Sequence, residues 1–164
     1  MSQITLPILG AGESGIGAAL LARRQGYIPW VSDAGEIGAP RKEEMDKAEI
    51  DYESNGHSIE RLLESSSQAG FFIKSPGIPE TASVVLQLKK NGAEAISEIE
   101  FASRFARSNN EKIIAITGAN GKTTTTALVA AIFQDAGHEI ACVGNIGKSW
   151  ARDLESENRP PPFK

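Results

Sequence analysis

The chain is short of cysteine, of positive charge and of long apolar runs, and each shortage removes a class of protein. Its one cysteine, Cys142, has no intrachain disulfide partner, which suits a reducing compartment rather than a disulfide scaffold. It sits in Ile140-Ala141-Cys142-Val143 with no basic neighbour in sequence to activate it, so it reads as packing and not as a nucleophile. The formal net charge of −4 argues against a broadly basic nucleic-acid surface. No apolar stretch approaches the ~20 residues of a membrane-spanning helix, and Met1-Ser2-Gln3-Ile4 lacks the charged start of a secretory leader. The expectations are a cytoplasmic protein with no membrane insertion and no nucleic-acid partner.

What is present is ordinary globular composition, with 40% hydrophobic and 23% charged residues. A chain of 164 residues holds one good-sized domain, or one small domain and part of another.

Ile113-Ile114-Ala115-Ile116-Thr117 reads as a buried strand running into Gly118-Ala119-Asn120-Gly121-Lys122, with a helix opening at the lysine. Two glycines let successive N–H groups turn inward towards an anion, and the helix N-terminus adds partial positive charge. Lys122 brings a full charge for terminal phosphates and Thr123 a hydroxyl for a bridging metal ion. The usual phosphate loop has a glycine six residues before its lysine, where this chain has Ile116. Four successive threonines are mediocre helix formers, and such a breach of local propensity is expected at a functional site.

A second glycine loop lies near the N-terminus. Ile4 to Leu9 is a strand candidate, Gly10-Ala11-Gly12-Glu13-Ser14-Gly15 follows, and Ile16 to Gln25 has helical spacing until Gly26. Another strand candidate, Ile28 to Ser32, ends at Asp33, 23 residues beyond Gly10, where a dinucleotide fingerprint places an acid for a ribose hydroxyl. Two details count against NAD: Glu13 puts negative charge inside the loop, and Pro7 lacks the N–H a central ladder would use. The loop is open to a different nucleotide, or to a tight turn without ligand.

Between Gly35 and Gly56 the chain is polar, with Pro40 placed as a first helical residue and His57 read as an exposed loop residue. Ser58 is a candidate cap for a helix through Leu62-Leu63, and Phe71-Phe72-Ile73 a strand candidate. Lys74-Ser75-Pro76-Gly77-Ile78-Pro79 then makes either a rigid turn or a ligand loop. Thr81 to Asn91 is a helix, Ala93 to Ile96 a strand, and Ser97-Glu98-Ile99-Glu100 a capping box. A helix to Ala136 presents Leu128, Ala131, Ile132 and Ala136 on one face; a strand over 139–143 precedes Gly144-Asn145-Ile146-Gly147, and the prolines after Arg152 oppose further helix. The polar run Arg107 to Glu111 is the natural domain boundary. The fold class expected is α/β: a Rossmann-like parallel-sheet domain over 1–107, a linker over 108–111, and over 112–164 the start of an ATPase-type α/β domain. That last unit has too few strands to close, so the chain reads as part of a longer protein.

Two nucleotide loops about a hundred residues apart, with Ser32-Asp33, Lys74 to Pro79, Ser97 to Phe101, Ile116 to Thr124 and Gly144 to Gly147 in this order, resemble the N-terminal part of the Mur ligases. The Thr-Gly-x-Asn-Gly-Lys-Thr loop is specific to that ligase superfamily, and the Ser-Pro-Gly-Ile-Pro loop favours the member that adds D-glutamate. The resemblance implies a monomer that uses ATP and Mg2+ to join D-glutamate to UDP-N-acetylmuramoyl-L-alanine through an acyl phosphate. It places Gly12, Glu13, Ser14, Asp33, Ser75, Pro76, Gly77 and Asn145 at the UDP substrate. It places Gly118, Ala119, Asn120, Gly121, Lys122, Thr123 and Thr124 at ATP, with Lys122 catalytic and Thr123 on the metal. The acidic metal ligand, a modified lysine and an amino-acid-binding domain would follow Lys164. Two alternatives remain: a dinucleotide- or nucleotide-sensing module fused to a phosphate-loop NTPase, and a sister ligase that adds another amino acid or a glutamate tail.

Overall fold

The computed structural model describes residues 4–108, 112–144 and 148–156, except for the side chains of residues 107 and 108. Five strands, β1 (Thr5–Leu9), β2 (Ile28–Ser32), β3 (Asp51–Glu53), β4 (Phe71–Lys74) and β5 (Glu94–Ile96), form one sheet in the order β3-β2-β1-β4-β5. Every recorded pairing is parallel. Between them run α1 (Glu13–Arg24), α2 (Ala39–Lys47), α3 (Ile59–Ala69) and α4 (Ser83–Lys90), followed by α5 (Glu98–Ser108), α6 (Lys122–Asp135) and α7 (Trp150–Glu155). The Rossmann-like parallel-sheet domain expected from the strand and helix alternation is therefore present.

Period-2 alternation sorts the strand side chains into two cores. Leu6, Ile8, Val31, Ile73 and Ile96 meet α1, Met45 of α2, Phe101 of α5 and Leu154 of α7. Leu9, Trp30 and Phe72 meet Leu62 of α3 and Val84, Val85 and Leu88 of α4. Burial on both faces is why the central strands carry near-continuous apolar runs.

Pro7 stands in the central strand after all, opposite Trp30. Parallel ladders alternate sides: Ile4 accepts from Ile28 and Gly10 donates to Ser32, both towards β2, whereas Leu9 accepts from Ser75 on the β4 side. The Pro7 nitrogen thus faces β4, where recorded pairing covers only Ile8 and Leu9, so its missing N–H leaves no gap in the recorded ladder.

Four local expectations change. α1 begins at Glu13, three residues ahead of Ile16, because Gly12 already serves as its N-cap. β3, hidden in a polar stretch, is a short edge strand held only by β2. Neither 113–117 nor 139–143 is a strand; a strand needs neighbours to take its N–H and C=O groups, and none of the described strands pairs with either stretch. α6 does form, yet Leu128 and Ile132 on its expected apolar face are 60% and 58% exposed. Beyond these, α7 lies where the sequence pattern marks no element, and it packs against α1 and α5. Its N-cap Ser149 accepts from the Arg152 N–H at 3.2 Å.

Candidate functional site

Strand order reverses between β1 and β4: the chain moves from β1 outward to β2 and β3, then returns to β4 on the other side. The carboxyl ends of β1 and β4 therefore open a crevice, the usual ligand position in a parallel α/β sheet. The loops after β1, β2 and β4 meet there. Gly10 donates to the Ser32 carbonyl at 2.8 Å and Ser75 to the Leu9 carbonyl at 2.9 Å. The Ser75 hydroxyl donates to the Gly10 carbonyl at 3.3 Å. Asp33 Oδ2 accepts from the Ala11 N–H at 2.7 Å while Oδ1 accepts from Gly35 at 2.9 Å, so one carboxylate ties the first two loops together.

The glycines of this loop differ in function. A Cβ on Gly15 would lie 1.8 Å from the Gly10 carbonyl oxygen, so only glycine lets α1 approach the loop this closely. Gly10 holds φ of +94°, a left-handed conformation that disfavours other residues. Gly12 is different, because its backbone is in ordinary extended conformation and a Cβ there would meet nothing within 4 Å. No packing demand accounts for it; what its bareness leaves is open approach to the start of α1. No side chain caps that start, so the N–H groups of Glu13, Ser14 and Gly15 have no intrahelical acceptor. Uncapped N–H groups and the helix dipole favour an anion.

The structure thus brings Gly12, Glu13, Ser14, Asp33 and Ser75 to one edge of the sheet, with Pro76 and Gly77 in the turn after Ser75. That turn is closed by Ile78 donating to the Ser75 carbonyl at 3.1 Å. Lys74, not foreseen as a site residue, braces it: Nζ donates to the Ile78 carbonyl at 2.7 Å and pairs with Glu80 at 3.2 Å. Hydrogen bonds from Lys89 first and then Lys74 hold Glu80 below the usual glutamate range. Asn145 lies outside the described residues.

His57 is half-buried and bonded rather than free in its loop. Its Nδ1 is 2.6 Å from the fully buried Ser32 hydroxyl, which donates to Glu53. Glu53 also accepts from the Ser58 N–H at 2.8 Å and from the Ser58 hydroxyl. Burial by itself would raise the Glu53 pKa, but the Ser32 and Ser58 hydrogen bonds and the nearby His57 outweigh it and hold it low. The one proton of Ser32 is committed to this carboxylate. His57 Nδ1 must then be the donor, which leaves Nε2 as the acceptor in the neutral ring. No local pattern marks this cluster, because its members come from β2, β3 and the loop between β3 and α3.

In the second loop, Gly121 caps α6 with φ of +75° and Gly118 has φ of +154°, backbone that other residues rarely adopt. Lys122 Nζ lies back over the loop, donating to the carbonyls of Gly118 and Ala119. The Thr126 hydroxyl is turned to the Lys122 carbonyl at 2.8 Å, whereas Thr123 and Thr124 are exposed at the helix start. Backbone N–H groups, a lysine and a hydroxyl around one helix N-terminus are the donor set for a nucleotide phosphate with its cation. Among the described residues no three His, Cys, Asp or Glu side chains converge on a metal site. No helix among them is long and apolar enough to cross a membrane.

Residues 116–161 match the family model of the Mur ligase middle domain. The chain is 46% identical over 151 residues to a UDP-N-acetylmuramoylalanine–D-glutamate ligase of Bacteroides thetaiotaomicron, covering 92% of this chain and 32% of that protein. It is 45% identical over 159 residues to the protein of the same name from Cytophaga hutchinsonii, covering 97% and 34%. A solved N5-carboxyaminoimidazole synthetase from Staphylococcus aureus aligns with 84% of this chain and 38% of its own at 13% identity and a TM-score of 0.39, too remote to carry an argument. The chain spans about a third of the length of the curated relatives it matches. With a middle-domain match in its second part and close relatives along nearly all of it, the chain belongs to the Mur ligase family.

Proposed function

We propose that residues 1–107 bind the UDP part of a UDP-muramoyl substrate, and that 112–164, after a linker at 108–111, begin the ATP-binding domain of a longer ligase. The parent would work in the cytoplasm as a monomer in peptidoglycan precursor synthesis, adding D-glutamate to UDP-N-acetylmuramoyl-L-alanine. The observation that carries this reading is the convergence of the Gly10–Gly15 loop, Asp33 and Ser75 at the switch point. The names of the relatives supply the substrate. In this reading the diphosphate lies across Gly12, Glu13 and Ser14, accepting from the uncapped N–H groups of α1. Asp33 sits on the uridine side with lone pairs left for a donor, Ser75 to Gly77 wall the crevice, and Asn145 meets the muramoyl part.

A carboxylate is a poor electrophile, so amide formation needs a leaving group. ATP would supply that leaving group by passing its γ-phosphoryl to one carboxylate oxygen, with the β–γ phosphoanhydride bond breaking to leave ADP, and magnesium would offset the charge. The amine of D-glutamate then attacks the carbonyl carbon of the acyl phosphate; the C–N bond forms, inorganic phosphate departs and the amine releases a proton. The loop from Gly118 to Gly121 would orient the phosphates through backbone N–H groups, with Lys122 neutralising developing charge and Thr123 and Thr124 presenting hydroxyls, Thr123 to the cation.

Calorimetric titration of the 164-residue chain with UDP and with NAD tests the first domain. Saturable UDP binding with little response to NAD is expected; saturable NAD binding with indifference to UDP would replace this reading with a dinucleotide sensor. The remaining machinery is assigned to the parent, so the chain alone should form no amide from ATP, magnesium and both substrates. Detectable amide would refute that assignment.

A further inference from the structure

Glu13 is an awkward residue for a diphosphate site, since it opens α1 beside the N–H groups that would face the phosphates. Arg152 meets it from α7. Its Nε donates to Glu13 Oε1 at 2.8 Å and its Nη2 to Oε2 at 3.3 Å, while Nη1 pairs with Glu44 of α2. The guanidinium side chain is 25% exposed, so this contact is partly sheltered from solvent screening.

The helix that delivers Arg152 is anchored by other contacts. Buried Glu98 of α5 accepts from the Ser149 hydroxyl at 2.8 Å and from the Ala151 N–H at 2.6 Å. Ala151 and Leu154 are buried, and Ser149 lies where Gly17 of α1 has no side chain. The arginine is therefore placed by packing and capping, and Glu13 does not have to recruit it.

We propose that Arg152 is a positioning residue for the substrate's diphosphate. It draws the Glu13 carboxylate against α7 and offsets its charge, so that the start of α1 remains attractive to an anion. Glu44 shares the guanidinium from α2, outside the loop, while both Glu13 oxygens are engaged. The first domain's ligand site is then completed by a residue that falls within the stretch matching the middle-domain model. This proposal rests on reading the Gly10–Gly15 loop as the diphosphate site.

Its signature is a rescue. Removing the arginine leaves Glu13 uncompensated, and one unscreened charge near the phosphates should weaken UDP binding about three- to ten-fold. Removing Glu13 as well should restore it. Calorimetry with UDP on the chain and on its Arg152→Gln, Glu13→Gln and Glu13→Gln/Arg152→Gln variants tests this, with urea midpoints measured in parallel. Wild-type binding, a weaker Arg152→Gln and a recovered double variant are expected. The double variant lacks the same arginine contacts, so loss of α7 packing would depress it as much as the single variant; that result overturns the proposal, as does an unchanged Arg152→Gln. Failure of the wild-type chain to bind UDP overturns the nucleotide reading itself and this proposal with it.

Discussion

Replacing Gly12 and Gly15 separately by alanine should divide one loop into a ligand position and a packing position. At Gly15 the new Cβ would stand 1.8 Å from the Gly10 carbonyl oxygen and 3.0 Å from its carbon. Both atoms are backbone, so no rotamer change relieves the clash and α1 must move. Overpacking of this kind costs up to ~3 kcal/mol, and about 1 kcal/mol returns because alanine is the better helix former. The net loss of ~2 kcal/mol should lower a urea midpoint by about 1 M, taking a slope of ~2 kcal/mol/M. At Gly12 the Cβ meets nothing within 4 Å, and the backbone angles suit alanine. A weaker N-cap is offset by lower unfolded-state entropy, so stability should stay within ~0.5 kcal/mol. The methyl would, however, occupy the approach of a phosphate to the first turn. Losing one charge-assisted hydrogen bond, ~1.5–3 kcal/mol, weakens UDP binding by roughly ten- to a hundred-fold. Urea titration and UDP calorimetry read both quantities. A Gly12→Ala variant that binds UDP like wild type, or that is as unstable as Gly15→Ala, would refute the division.

Three further outcomes are expected. Gly17→Ala puts a Cβ 2.1 Å from Ser149 Oγ, so α7 should lift from α1 and limited proteolysis should cut sooner on either side of it, with little change in the cooperative unfolding of the sheet. Glu98→Ala leaves a buried hydroxyl and the Ala151 N–H without their acceptor, costing ~1–3 kcal/mol in denaturant titration; Glu100→Ala removes an exposed pair with Arg104 and should cost ~0.5 kcal/mol or less. Because the Glu53 pKa is lower folded than unfolded, its contribution is present above the ordinary value of 4.5 and is lost as pH falls through the folded value. A pH series of thermal melts should show Glu53→Gln with a shallower acid limb than wild type.

Secondary structure was legible in the sequence where local pattern and tertiary burial agree. The apolar runs of β1, β2 and β4 and the glycine stops after α1 and α4 are short-range signals, and each marks an observed element. Half of the proposed capping box is present: Ser97 Oγ accepts from the Glu100 N–H at 3.0 Å, but the Glu100 side chain turns to Arg104 instead of reaching back. The stretch 113–117 has the same apolar character as β1 and is no strand, because periodicity describes a side chain's preference and supplies no neighbouring strand. Leu128 and Ile132 are exposed for the same reason, being an apolar face with nothing described to cover it.

By itself the sequence determined the parallel α/β class, the two glycine loops and the order of chemistry-bearing residues along the chain. These depend on the chirality of φ, on period-2 and 3.6 patterns and on contacts only a few residues apart. Tertiary structure alone decided which glycine of the loop has open space around it and which is pressed against other atoms, because that depends on what the fold brings in, such as Ser75 against Gly10. It also turned Glu13 from an isolated negative charge into half of an ion pair, since Arg152 lies 139 residues away in sequence and reaches it only because α7 packs on α1. Charge compensation depends on distance in space, and no local pattern in a chain records that distance.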